Sequence, residues 1–143
     1  MSKLTQANGD DHPDAAAKHL VDAQGLYAAA RHDNAGYLAG YVVECCLKTV
    51  VLAETGTFHG GHNLNGLSVR VLTLAAVAGS KTAKYVSTLS AVQTIYDPAS
   101  GWHPELRYRP EGQVTAAIAA QWVQEAENIY KMTIVPMRLD GVI

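Results

Sequence analysis

Charge is scarce in this sequence, and cysteine and proline are scarcer still. Only 17% of the residues are charged, the formal balance is −2, and no long basic run interrupts it. A protein that lives on bulk duplex nucleic acid needs a strong positive field, so that class is disfavoured while a local basic patch is not. The two cysteines, Cys45 and Cys46, are adjacent. On a helix they point about 100° apart, which suits neither a structural disulfide nor shared metal ligation. They read as small core residues, since an apolar helix raises a thiol pKa and lowers its reactivity. With no signal-type leader and no long uncharged apolar span, the expectation is a reduced, cytoplasmic protein with no membrane segment.

Other absences narrow the chemistry. Period-two alternation is missing, and Val/Ile-rich runs all sit within longer helical periods, which excludes a strand-based fold. There is no internal repeat, no phosphate-cradling glycine loop, no GxSxG elbow, no HExxH helix and no two-pair Cys/His zinc pattern. His59 and His62 flank a Gly-Gly pair at a spacing that can bind zinc, but no acid or thiol stands near them in sequence. No metal and no cofactor are expected.

What is present is helical. The 143 residues make one domain, 1–143, with 48% apolar content and enough chain to bury a core. Residues 1–11 are polar and read as a frayed tail. Pro13 opens a first helix, with Ala16, Leu20, Ala23, Tyr27 and Ala30 at helical spacing to about Arg31. A very short connection leads to Asn34–Glu54, so those two helices should run antiparallel. This second helix is apolar or small at nearly every position, with Gly56 as its C-terminal cap, and it reads as the buried centre of the fold. A third helix starts near Asn63 and reaches about Ala78. A fourth follows Ser80, with Tyr85, Val86, Leu89, Val92 and Tyr96 on one side. A fifth runs from about Gln113 to Thr133, and the end from Pro136 to Ile143 is expected to be loose or docked on a partner. The fold class is therefore all-α, a bundle of four long helices plus a possible short fifth.

Two places carry candidate chemistry. Tyr37, Tyr41, Glu44 and Lys48 draw a polar-tipped stripe down the central helix. Glu44 and Lys48 form either a helix salt bridge at the edge of the bundle or a charge pair kept because it faces a groove or interface. Three of the five prolines fall within Asp97–Gly112, an irregular stretch that also holds Trp102, His103, Arg107, Tyr108 and Arg109. Arg107 and Arg109 can grip phosphate, and Trp102 or Tyr108 can stack on a base. The alternative is that these groups cover the end of the bundle.

The run from Asn34 to Lys48 (with Gly40-Tyr41-Val42-Val43-Glu44-Cys45-Cys46-Leu47-Lys48 at its centre), then His62-Asn63-Leu64, then Leu106-Arg107-Tyr108, resembles the HEPN domain family from about Lys18 to Tyr130. Its members share a GY-x-x-E-x-x-LK helix, an H-x-L segment and an RY turn ahead of the last helix. The resemblance implies an up-and-down helical bundle, usually dimeric, in prokaryotic cytosol. Many relatives pair with a minimal nucleotidyltransferase in toxin–antitoxin modules or belong to defence systems. Some are metal-independent endoribonucleases that use an arginine followed, after four to six residues, by a histidine. This chain departs from that motif: Arg107 can take the place of the arginine, but Gly112, Gln113 and Val114 fill the histidine window.

Three readings follow. The favoured one is a non-canonical, dimeric HEPN-like bundle that binds a partner protein, a nucleotide or RNA phosphate through Tyr41, Glu44, Lys48, Trp102, Arg107, Tyr108 and Arg109. The second is a divergent endoribonuclease, with His62 or His103 as base and Arg107 steadying the phosphorane. The third is a structural dimerisation module in which Gly36 and Gly40 admit a second copy.

Overall fold

The computed structural model describes residues 1–58, 60–89 and 93–143; Val92 and His59 lie outside them. The protein is all-helical, with 64% of its residues in helices and no strand among the described residues. Four helices are long: α1 (His12–Ala28), α2 (His32–Thr55), α3 (Leu64–Ala75) and, last in the chain, α5 (Ala116–Leu139). Between them α4 is a single turn, Ala83–Val86, and two 3-10 turns lie at Thr94–Tyr96 and Pro104–Tyr108.

Local chemistry sets most of the ends. Asp11 caps α1 by accepting from the Asp14 N–H at 3.2 Å, Asn63 caps α3 through Gly66 N–H at 2.9 Å, and Thr115 caps α5 through Ile118 N–H at 3.2 Å. Gly56 closes α2 in the left-handed conformation at φ 69°. Between α1 and α2 the chain reverses within Ala29–Arg31, and Ala30 takes a φ of 58° to do so. That conformation costs a residue with a Cβ roughly 1–2 kcal/mol.

α2 is the centre, packed against α1, α5 and α3. It is the one helix among the described residues long and apolar enough to cross a membrane, and 83% of that apolar window is buried inside the protein. The short reversal makes α1 and α2 antiparallel. α5 runs parallel to α2: Gly36 lies against Trp122, and ten residues on, Cys46 lies against Thr133. His62, just before α3, meets Glu44, while Ser80 and Thr82, after α3, meet Glu54. The segment from His62 to Thr82 therefore advances along α2 in α2's own direction.

Four expectations need correction. The fourth helix is one turn, Ala83–Val86, and near the end of the expected helix Glu125 of α5 takes the N–H groups of Thr94 and Ile95, each at 3.0 Å. The last helix does not stop before Pro136 but continues to Leu139. An interior proline costs a helix about 3 kcal/mol; here Met137 is fully buried, Arg138 pairs with Asp14 and Asp140 receives Lys84 and Tyr85, which hold the final turns. The N-terminal segment is tied down, with Ser2 N–H on Asp11 at 2.6 Å and Lys3 Nζ on the Gly141 carbonyl at 2.6 Å. Finally, the glycine face of α2 is filled from within the chain. A Cβ on Gly40 would fall 2.1 Å from the Trp102 indole, and one on Gly36 would fall 2.8 Å from Val114. No second copy can use that face.

Two measurements check this packing. Gly40→Ala should lower stability by about 1–3 kcal/mol through overpacking, read as a fall in the thermal midpoint. Gly25→Ala, in α1 with open space around its Cβ, should raise it by about 0.5–1 kcal/mol. Asp11 gives a pH check: burial alone would raise its carboxyl, but bonds from Ser2, Thr5 and Asp14 outweigh that and hold it at about 2, against 3.8 ordinarily. A depressed carboxylate stabilises above its unfolded pKa and loses that contribution as pH falls through its folded one. The stability gap between the parent and Asp11→Asn should therefore be full above about pH 4 and close towards about pH 2.

Candidate functional site

The stripe on α2 is real, and its lower half is buried. Glu44 is 4% exposed and Lys48 6%, with Nζ on Glu44 Oε1 at 2.7 Å. The other oxygen, Oε2, meets His62 Nδ1 at 2.8 Å, and the His62 side chain is 50% exposed. One carboxylate thus joins a buried ammonium to an imidazole at the surface. Taking two ions out of water costs several kcal/mol each, which a close pair with further hydrogen bonds offsets.

Around this pair stands a shell of rings. Lys48 Nζ lies 5.7 Å from the centre of Phe58, and His12 of α1 stacks on Phe58 at 5.6 Å. Burial first, and the Lys48 charge second, push the His12 pKa down, and its Nε2 has no hydrogen-bond partner. His19, one face along α1 from His12, packs on Tyr41 at 5.8 Å. Tyr41 also meets Trp102 edge-on at 5.0 Å and His62 at 6.2 Å. Its hydroxyl lies 3.1 Å from that of Tyr37; burial, then the Tyr37 contact, lift its pKa to about 12. Burial likewise raises both Cys45 and Cys46, leaving two inert thiols.

The loop of Asp97–Gly112 reaches α2 through Trp102. Its indole N–H donates to the Tyr37 carbonyl at 2.8 Å, and the ring lies flat on Gly40, 5% exposed. Trp102 is therefore a core residue, which corrects its reading as a platform for a base. The next residues, His103 and the Pro104–Tyr108 turn, are placed by that anchor. Arg107 is exposed, its guanidinium beside the Tyr37 hydroxyl and 4.8 Å from the Tyr108 ring centre, and these two neighbours, Tyr37 first, raise its pKa. Tyr108 is 75% exposed.

His62 and His103 line one cleft of about 410 Å³, together with Asn63, Tyr96, Asp97 and Trp102. Asp97 Oδ1 accepts from the N–H groups of Ser100 and Ala99, at 3.0 and 2.7 Å, which lower its pKa and keep it charged. The Tyr96 hydroxyl is buried without a partner, and burial, then Cys46 and Glu125, push its pKa up; those neighbours place it toward the core.

One shared cleft holding Glu44, Lys48 and Arg107 through Arg109 is not what the chain builds. Arg107, Tyr37, Tyr41, His62, Glu44 and Lys48 form a continuous track, but Tyr37 and Lys48 are roughly 16 Å apart along α2 at 1.5 Å per residue. Lys48 and Glu44 act from inside, behind His62 and Phe58, and do not offer their charges to solvent. Arg109 faces elsewhere. It lines a second cleft of about 430 Å³ with Arg31, Asp33 and Glu111. No three His, Cys, Asp or Glu groups among the described residues are arranged to hold a metal.

The sequence reading missed His12, His19 and Phe58. His12 and His19 are seven apart, one helix face, which was a usable signal; nothing local pointed Phe58 back onto Lys48. Compared with known proteins, the chain matches no family model, no curated protein and no solved structure.

Breaking the buried pair from one side should be costly. Lys48→Met leaves Glu44 buried without its ammonium and should destabilise the fold by about 3–5 kcal/mol. Adding Glu44→Leu should recover most of that loss. Urea unfolding of the two single variants and the double one, read as a double-mutant cycle, measures both terms.

Proposed function

We propose that this protein is a HEPN-like helical domain that binds phosphate groups of a nucleotide or RNA on the face made by Arg107, Tyr108, His103 and His62. The carrying observation is that Arg107 sits beside Tyr37, at the head of a track leading through Tyr41 to His62 and Glu44. An exposed guanidinium beside an exposed tyrosine, with imidazoles alongside, suits an anion that carries a base. The resemblance in the GY-x-x-E-x-x-LK helix supports the HEPN-like part of the reading; α1 pairs antiparallel with α2, whereas the segment holding α3 runs with α2 and departs from a strict up-and-down order. On this reading the protein works in prokaryotic cytoplasm as a homodimer, with a minimal nucleotidyltransferase or another module component as partner.

A second reading, metal-independent cleavage of RNA, is favoured by one observation. His62 is held by a buried carboxylate, as a general base must be held by a third group, and His103 lines the same cleft. With His62 taking the 2′-hydroxyl proton, the 2′-oxygen would attack phosphorus and break the bond to the 5′-oxygen, which takes a proton from water, leaving a 2′,3′-cyclic phosphate and a free 5′-hydroxyl.

Titrating fluorescent single-stranded RNA and nucleotides into the purified protein separates the possibilities. Arg107→Ala should weaken binding at least about tenfold, the scale of one charge-assisted contact, while Arg109→Ala should change it little. Equal binding by the parent and Arg107→Ala would refute the proposed face. In metal-free buffer, a 2′,3′-cyclic end that disappears in His62→Ala supports cleavage, and intact RNA at high protein concentration rejects it.

A further inference from the structure

The contact between His62 and Glu44 fixes the chemistry of a ring as well as its position. Lys48 holds Oε1 and His62 Nδ1 meets Oε2, on a carboxylate that is almost fully buried. An ion-paired carboxylate only accepts hydrogen bonds, so the hydrogen in the second contact belongs to Nδ1. In the neutral ring Nε2 then carries a lone pair. A proton arriving at Nε2 breaks neither contact. It changes the Lys48–Glu44–His62 unit from neutral to a single positive charge at the wall of the cleft shared with His103.

The groups around the ring answer that charge only in part. From α2, Tyr41 presents a ring edge, and Glu44 is already shared with Lys48. From α1, His12 stacks on Phe58 and His19 packs on Tyr41. Along the cleft, Asp97 holds two backbone N–H groups through Oδ1 alone and keeps its negative charge, and His103 brings a second imidazole. Arg107, beside Tyr37, adds positive charge further along. Glu44 is shared with Lys48, and Asp97 with two N–H groups, so neither anion is committed to this imidazolium alone.

We propose that the His62–His103 cleft takes up a phosphate group and a proton together, the proton settling on His62 Nε2, with Glu44 as the positioning residue that keeps that nitrogen free. This rests on the reading that this face binds phosphate. No bond to phosphorus is made; the proton comes from solvent. The direction follows from linkage: an anion favours the protonated ring, so affinity rises as pH falls through the imidazole range, by up to about tenfold per pH unit for one proton.

The probe is inorganic phosphate, with a nucleoside 5′-monophosphate as a second arm to distinguish a free from an esterified source. Ring nitrogen NMR of the whole chain, at a pH where the free ring is neutral, should show His62 protonated on Nδ1 alone, and protonated on both nitrogens once phosphate is added. Calorimetry in buffers of different ionisation enthalpy should show about one proton taken up per phosphate. His62→Gln, at an exposed position, should keep the fold and abolish the uptake. Glu44→Gln should mix the two ring tautomers, which a purely structural glutamate would not do. The proposal fails if free His62 carries its proton on Nε2, if phosphate binds without proton uptake, or if neither probe moves the His62 resonances. Proton-coupled phosphate uptake with RNA and nucleotide affinity indifferent to Arg107→Ala would instead refute the proposed function and leave this inference standing.

Discussion

The structure turns on one carboxylate. α2 is buried on nearly every side, and Glu44 is the only acid in its buried stretch; both of its oxygens are in use, one by a lysine that cannot reach water and one by a histidine that can. A lone charge there would be prohibitively costly, and a simple pair would be a local matter of helix spacing. The third member changes that. Because His62 belongs to the chain between α2 and α3, the buried pair also fixes where α3 begins and where the cleft has its wall.

A second constraint works at the other end of the stripe. Gly40 lets the Trp102 indole lie directly on the α2 backbone, and the indole N–H takes the Tyr37 carbonyl. That contact brings an irregular proline-rich stretch onto the central helix and carries Arg107 to Tyr37. Without it, the arginine and histidines of the proposed face would have no common frame. The two anchors, Trp102 and His62, meet the same Tyr41 ring from different segments.

Much of the fold was legible because it follows from local periodicity and end chemistry. The buried centre, the tight reversal before it, Gly56 as a cap and the irregular stretch after Tyr96 all follow from residue type and spacing. What was not legible was settled by distant groups. The pattern Tyr85, Val86, Leu89, Tyr96 is helical, yet α4 ends at Val86, and further on Glu125, some thirty residues away in sequence, holds the N–H groups of Thr94 and Ile95. Pro136 is a fair stop signal, overridden by the burial of Met137 and by ion pairs to the other end of the chain. At the site, the sequence picked out Glu44, Lys48, His62 and Arg107, but it could not tell that the first two would be sealed inside. Trp102 looked like a surface ring because its glycine partner sits sixty-two positions away.

Glu44, Glu54, Glu125 and Asp33 share a habit. Each sends a side chain from a long helix to hold a stretch outside the long helices: His62, Ser80 to Thr82, Thr94 to Ile95, and Gly112 to Val114. The Thr82 hydroxyl foremost lowers the Glu54 pKa, and backbone N–H groups outweigh burial to lower that of Asp33. Acid therefore attacks the molecule at its seams. As Glu54 and Asp33 take up protons, the Ser80–Thr82 and Gly112–Val114 segments lose their hold while the helical core, held by apolar contact, keeps its shape.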